Sequence, residues 1–387
     1  MLNKALLSGD RPLGVAVSGG SDSTALLSLM AQAKGPDEIR AVTVDHGLRA
    51  AAKDEAGQVA QLCASLKISH EILTLNLEDG ADLQARARAG RYSALCDWAQ
   101  RSGVAAVALG HTKDDVAETF LMRLARGSGV DGLAAMPEIF ERHGVRFLRP
   151  LLGADRFELQ TYLRAQSLSW SEDPSNKDPR FTRVQMRQAQ PFLDDLGLTP
   201  QRLSQTADWM RAASEVLEMA ADTWIAQNAW GDHGDAVFNF KALQMAPLET
   251  AARVLSRALC NISGNPYRPR FNALIALLSN SSAQTLHGCI AYHHGDTLRL
   301  TREPNAIKEE EMRWQITGPL TATHVIKPLR ESDFTYVSDW RDTALVPRRS
   351  LLGTPVIWQN ETFVAAPIAQ PDPVWSASTT NPLHFSK

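Results

Sequence analysis

Cysteine is scarce in this chain: Cys63, Cys96, Cys260 and Cys289 are the full set, and no two of them form a CxxC pair. Their spacing suits neither a zinc site nor a disulfide framework, and it argues against paired thiols that carry sulfur or hold an iron–sulfur cluster. Long hydrophobic runs are missing as well, none approaching the ~20 residues that span a bilayer. The stretch Met1–Pro12 contains one lysine and no long apolar region, so no secretory signal is read there. A cytoplasmic location is therefore expected. A large charge of either sign is also lacking: the formal net charge is −3, which speaks against a strongly basic nucleic-acid binder. The surplus is local, with eleven Lys/Arg against eight Asp/Glu between Leu121 and Arg187. No internal repeat is present, and no Gly-Lys-Ser/Thr completes an NTPase P-loop with its phosphate-binding lysine.

The most telling segment that is present is Ser18-Gly19-Gly20-Ser21-Asp22-Ser23, between the apolar run Leu13–Val17 and the helical stretch Thr24–Met30. A buried strand that ends in such a turn aims successive backbone N–H groups, and a helix N-terminus behind them, at one spot. That is an anion seat suited to phosphate. Gly19 and Gly20 allow positive φ and close main-chain approach. Ser18, Ser21 and Ser23 add short donors. Asp22 is out of place beside phosphate and is expected to face a metal ion or a backbone amide.

The chain has 387 residues, 44% hydrophobic and 21% charged, so two or three domains are expected. Up to about residue 135, strand-like runs (Leu13–Val17, Ala41–Val44, Glu71–Leu75, Val104–Leu109) alternate with helical ones (Thr24–Ala33, Lys53–Leu66, Leu83–Arg101, Asp114–Arg126). This alternation predicts an α/β fold with a doubly wound, mostly parallel sheet and ligands at the carboxyl ends of its strands. Residues 1–197 are read as the nucleotide-binding catalytic domain. Residues 198–307 are read as mainly helical with a β-hairpin, opening on Thr199-Pro200 as N-cap and first helical position. Residues 308–387 are read as a small β-rich module.

Two further blocks follow predicted strands and so converge on the same cleft as Ser18–Ser23. Asp45-His46-Gly47-Leu48-Arg49 comes after the second strand, and Gly110-His111 leads into Thr112–Thr119 after the fourth. On a helix starting near Asp114, Glu118 shares a face with Asp114 and Asp115. Such carboxylates could hold Mg²⁺ or pair with an incoming ammonium group. Acids in a first helical turn also serve the helix dipole, which could explain Asp114 alone.

The Ser18–Ser23 segment resembles the PP-loop of ATP pyrophosphatases, which cleave ATP to AMP and pyrophosphate while activating an oxygen as an adenylate. With Asp45–Arg49, Gly110–Thr119, Arg126–Leu133, Arg149–Leu152 and Asp173–Asn176 in the same order, residues 13–187 resemble the tRNA(Ile)-lysidine synthases. Val116 stands where that family commonly has glutamine, and Val184 where it usually has asparagine. The resemblance implies ATP-dependent joining of L-lysine to C2 of the wobble cytidine in the CAU anticodon of tRNA(Ile), through an adenylated cytidine. It also implies Mg²⁺, and a homodimer as a common assembly. In such an enzyme Ser18, Gly19, Gly20, Ser21, Asp22 and Ser23 would bind the nucleotide, with Asp22 also toward the metal. Asp45, Asp115 and Glu118 would meet the substrate amines, and His111 would orient phosphate or shuttle a proton. Arg123, Arg126, Arg183 and Arg187 would contact tRNA phosphates. Another PP-loop tRNA modifier, such as a 2-thiolating enzyme, and a non-catalytic nucleotide-dependent RNA adaptor are the alternatives; the missing CxxC pairs weigh against the first.

Overall fold

The computed structural model describes residues 1–9, 11–45, 47, 51–75, 83–172, 178–180, 182–279, 282–307 and 314–379, with backbone alone at 51–52 and 83–84. His46, Leu48 and Arg49, the Asp173–Asn176 motif with Lys177, and Phe181 lie outside the described residues. Two compact units are formed, Met1–Ser214 and Glu215–Lys387.

The first unit follows the predicted alternation. Its elements are β1 (Leu13–Ala16), α1 (Ser21–Lys34), β2 (Ile39–Asp45), α2 (Ala51–Ser65), β3 (Ser69–Thr74), α3 (Leu83–Ser102), β4 (Val107–Leu109) and α4 (Lys113–Leu124). Then come α5 (Val130–Leu133), β5 (Ile139–Arg142), β6 (Val145–Leu148), α6 (Arg156–Ala165), α7 (Thr182–Asp195) and the start of α8 (Pro200–Asn228). The six-stranded sheet has the order β3-β2-β1-β4-β6-β5. All neighbours run parallel except the β5–β6 hairpin. That hairpin edge was not apparent in the sequence, because its strands are four residues each and only partly apolar.

Strand alternation sorts side chains onto two covered faces. Leu13, Val15, Val17, Ile39, Ala41 and Ala108 face a core with Leu26, Leu27 and Met30 of α1, Val59 and Cys63 of α2, and Leu159 and Leu163 of α6. Ala16, Val42, Val107 and Leu109 face the other, with Leu95 and Trp98 of α3 and Phe147 of β6. After β1 the chain moves outward through β2 and β3, then returns to place β4 on the opposite side of β1. The crevice between the carboxyl ends of β1 and β4 is therefore a topological switch point, where open α/β sheets bind ligands.

The second unit holds the rest of α8 and more strand than expected. Gly231–Gly234, read as a helix break, contains the end of β7 (Ala229–Asp232) and the His233-Gly234 turn that joins it to β8 (Asp235–Asn239) in a hairpin. Next are α9 (Phe240–Met245), α10 (Leu248–Ser263), α11 (Phe271–Ser279), β9 (Gln284–Leu286), β10 (Cys289–His294) and β11 (Thr297–Arg302). The sheet β7-β8-β11-β10-β9 is antiparallel throughout and packs against α10 and α11 through Val254, Leu255, Ala258, Leu274 and Leu277. Beyond it are β12 (Trp314–Thr317), β13 (His324–Pro328), α12 (Trp340–Thr343), α13 (Arg348–Leu351), β14 (Pro355–Gln359), β15 (Thr362–Ala365) and β16 (Ser376–Thr379). They form two small antiparallel sheets around Leu329, Val337, Leu351, Val356 and Ile368. No helix among the described residues is long and apolar enough to cross a membrane.

One glycine in β1 is required by packing. A Cβ at Gly14 would lie 2.7 Å from the Trp98 ring. Gly14→Ala is expected to cost about 1–3 kcal/mol by overpacking, read as a lower urea midpoint at unchanged m-value.

Candidate active site

The Ser18–Ser23 segment forms the predicted turn between strand and helix. Gly19 has φ +86°, whereas Gly20 is extended at φ −73° and so does not use positive φ; it precedes α1 without a side-chain cap, so donors of the first helical turn are left for a ligand. The hydroxyls brace the loop: Ser23 Oγ accepts from Ser18 N–H at 3.1 Å and donates to the Gly20 carbonyl at 3.1 Å. Across the crevice, a Cβ at Gly110 would lie 3.0 Å from the Ser23 backbone N and Cα. The turn after β4 thus presses directly against the PP-loop. Ser171, just before the undescribed 173–177 segment, donates its N–H to the Gly19 carbonyl at 2.8 Å.

From Gly110 the chain enters α4 through a capping box. Thr112 N–H donates to Asp115 Oδ2 at 2.8 Å, and Asp115 N–H to Thr112 Oγ1 at 3.4 Å. Asp115 Oδ2 is thereby used by the helix start, while Oδ1 turns toward Arg156 Nη2 at 3.7 Å and Arg183 Nη1 at 4.0 Å. Glu118, one turn on and 4% exposed, meets Arg187 Nε at 2.9 Å through Oε1 and Arg183 Nε at 3.1 Å through Oε2.

Arg156 joins the two halves of the site, a role that went unread in the sequence. Its Nε donates to Asp22 Oδ2 at 3.1 Å, its Nη1 lies 3.7 Å from Glu118 Oε1, and its Nη2 reaches Asp115 as above. Its backbone N–H donates to Asp114 Oδ2 at 2.8 Å. Arg156 is the first residue of α6, behind the capping box of Asp155 and Glu158. The signal that could have located it is Asp155-Arg156-Phe157-Glu158, an N-cap pattern placing residue 156 at a helix start. Asp22, expected to face a metal or a backbone amide, accepts from Arg156 and from the Ser21 hydroxyl.

Burial and charge set the protonation states. Burial pushes the Asp22 carboxyl up, against the pull of Arg156, and the nearby Asp115 charge adds to the rise. Burial likewise raises Glu118, partly opposed by its hydrogen bond from Arg187. Burial raises Asp115 too, but Arg183, His111, Arg156 and the Thr112 N–H outweigh it, so the net shift is downward. His111 is lowered to about 3, mainly by burial, with Arg149, Arg91 and Arg183 pushing the same way. Arg149 Nε donates to His111 Nδ1 at 3.3 Å, leaving Nε2 to carry the ring N–H. A neutral ring of that tautomer suits hydrogen-bond donation to phosphate rather than delivery of a proton.

The other predicted residues are placed as follows. Asp45, at the end of β2, accepts from the Gly47 N–H at 2.9 Å, a local turn contact. Arg123 Nη1 donates to the carbonyls of Gly132 at 2.7 Å and Ala135 at 3.0 Å, tying the 132–135 turn to α4. Arg126 is exposed. Val116 and Val184 are buried, so both departures from the resemblance fall at packed positions. Burial raises Cys63 to about 11 and Cys289 to about 12, which leaves neither as a nucleophile. Among the described residues no group of three or more His, Cys, Asp or Glu side chains could hold a metal alone.

The PP-loop domain family matches residues 1–191. The tRNA(Ile)-lysidine synthase of Ruegeria pomeroyi is 39% identical over 382 residues, covering 95% of this chain and 91% of that protein. The tRNA(Ile)-lysidine synthase of a Bradyrhizobium species is 35% identical over 323 residues, covering 76% and 90% respectively. Among solved structures, the U34-tRNA thiolase NcsA from Methanococcus maripaludis aligns at a TM-score of 0.46 and 19% identity, over 54% of this chain and 75% of that one.

Two outcomes follow from the electrostatics. Arg156→Gln leaves Asp22, Asp115 and Glu118 without their shared cation and is expected to cost about 3 kcal/mol or more at neutral pH. The loss should shrink on acidification as Asp22 and Glu118 take up protons, which paired denaturation curves will measure. For His111, the folded value of about 3 lies below the ordinary 6.5. The unfolded chain therefore binds this proton more readily, so the contribution to stability is complete above about pH 6.5 and is lost as pH falls toward about 3. His111→Asn should decline less steeply with acid than the parent chain; identical slopes would refute the assignment.

Proposed function

The chain belongs to the tRNA(Ile)-lysidine synthase family, and on that premise we propose how its residues carry the reaction. It is an ATP-dependent ligase that modifies tRNA(Ile). The proposed chemistry is attack by the cytosine O2 of the CAU anticodon on the α-phosphate of ATP, with departure of pyrophosphate. The ε-ammonium of L-lysine gives up a proton to a carboxylate of the acid cluster, the neutral ε-amine attacks C2, a further proton is lost from the nitrogen, and AMP leaves, giving lysidine. The observation that carries this reading is the convergence of PP-loop Asp22 with Asp115 and Glu118 on one guanidinium. Phosphate seat and acid cluster belong to one charge-coupled site.

In this assignment Ser18, Gly19, Gly20, Ser21 and Ser23 cradle the β- and γ-phosphates with the N-terminus of α1 and stabilise charge on the departing pyrophosphate. Arg156, between Asp22 and α4, adds a fixed positive charge beside that path. His111 donates from Nε2 to a phosphate oxygen. Asp115 and Glu118 receive the lysine ammonium groups; Asp45 contributes by holding the turn after β2 through Gly47. A single partly desolvated carboxylate, Asp22, is too few ligands to bind Mg²⁺ alone, yet it fits an ion whose other ligands are phosphates and water. Asp22 would hold Mg²⁺, and the ion would screen the phosphate charges. Arg126, Arg183 and Arg187 contact tRNA phosphates, while Arg123 fixes the 132–135 turn. An anticodon base is already unpaired, so presenting it costs less than flipping one from a duplex. Residues 1–197 then form the catalytic domain, with 198–307 and 308–387 as accessory domains.

The test is to incubate the chain with ATP, labelled lysine and a CAU-anticodon tRNA(Ile) transcript. Stable label in the tRNA with matching AMP release is expected, and methionine tRNA should stay unlabelled. AMP release without lysine incorporation would overturn the reading.

A further inference from the structure

The acids assigned to lysine are already occupied. Glu118 Oε1 accepts from Arg187 Nε at 2.9 Å. Its Oε2 lies 3.1 Å from Arg183 Nε but completes no hydrogen bond, although it is buried. Arg183 also donates through Nη2 to Thr119 Oγ1 at 3.3 Å and stands 4.0 Å from Asp115 Oδ1. Arg183 and Arg187 are four apart on α7, whose Val184 is buried, so both approach α4 from one helix face. Their side chains remain 40% and 35% exposed, against 5% for Glu118. These are the same two arginines that the functional reading gives to tRNA phosphates. One pair of cations thus has two claimants, the acids within and the RNA without.

We infer that Arg183 and Arg187 stand in for the substrate ammonium, neutralising Glu118 and Asp115 in the empty site and moving to the RNA backbone when tRNA docks, so that lysine enters only then. This rests on the reading above, that Asp115 and Glu118 bind lysine and the arginines bind tRNA. A buried carboxylate stripped of its cation is strongly disfavoured, so a departing guanidinium must be replaced by another positive group. Phosphate competes well for guanidinium because the planar fork matches two of its oxygens. The vacated place, with Glu118 Oε2 still lacking a donor, suits a compact ammonium with three N–H groups. Arg156 does not take part in the exchange; Asp114 holds its backbone and Asp22 its side chain. Binding is then ordered, RNA before amine. This keeps the carboxylate of lysine away from ATP while no cytidine is in place. Because binding coupling is reciprocal, lysine must also tighten tRNA binding by the same factor.

Equilibrium dialysis of labelled lysine against the full chain, without ATP and with or without the CAU tRNA transcript, tests this. The parent chain should bind lysine more tightly with tRNA present. Arg183→Gln and Arg187→Gln should each bind lysine about three- to fivefold tighter than the parent without tRNA, the factor for losing one partly exposed ion pair. They should show a smaller tRNA enhancement and a salt dependence of tRNA binding flatter by ~0.7 per lost contact. Arg187→Lys, which keeps the charge, should bind lysine as weakly as the parent. Unchanged or weaker lysine binding in both glutamine variants, with melting temperatures preserved, overturns the exchange. Glu118→Gln separates the two levels. If it abolishes lysine binding while the arginine variants show no gain, the exchange alone fails; if it leaves lysine binding intact, the assignment of the acids fails.

Discussion

A guanidinium placed among three carboxylates organises the catalytic unit. Asp22 arrives from the first turn of α1, Asp115 and Glu118 from the helix after β4, and Arg156 from the start of α6. These connections are far apart in sequence, and without the arginine their negative charges would repel one another in a poorly hydrated crevice. With it, the phosphate seat and the acid cluster are held at fixed separation. The sheet supplies the geometry because β1 and β4 are neighbours whose crossovers leave in opposite directions. The close approach of Gly110 to Ser23 leaves no room for a side chain at position 110.

The same charges divide the acids into two kinds. Asp115, fixed by Thr112 and faced by Arg183 and Arg156, is held ionised, whereas burial raises Glu118 and Asp22. Under the proposed assignment such a division serves a substrate bearing two amines, because one carboxylate anchors charge while its neighbour tolerates partial neutralisation. His111 is kept neutral within the same field by burial and by three arginines.

Much of this was legible in the sequence because it is local. The PP-loop announces itself through glycines and hydroxyls between an apolar run and a helix. The acids of α4 fall on one face through helical spacing, and the strand-end positions of Asp45 and His111 follow from the βα alternation. What was not legible depends on distant partners. Arg156 is an unremarkable residue until α6 carries it back to the crevice. The tautomer of His111 is set by Arg149, which reaches it from just beyond β6. Asp45 was read correctly as a strand-end residue, yet its carboxylate turns back onto Gly47. The β7–β8 hairpin was missed because Gly231 and Gly234 read as the end of a helical pattern, whereas Gly231 is paired in β7 and only Gly234 lies in the turn.

Asp115 gives one of its oxygens to each of two tasks. Oδ2 completes the N-terminal box of α4, and Oδ1 looks into the crevice. The helix start and the charge in the crevice therefore rest on one residue. An asparagine there would keep an acceptor for the box and still lose the charge, while a glutamate could close the box, as Glu158 does at the start of α6, but would carry its second oxygen to a different place in the crevice. Any exchange at this position is therefore felt twice, at the start of the helix and in the charge that faces the crevice.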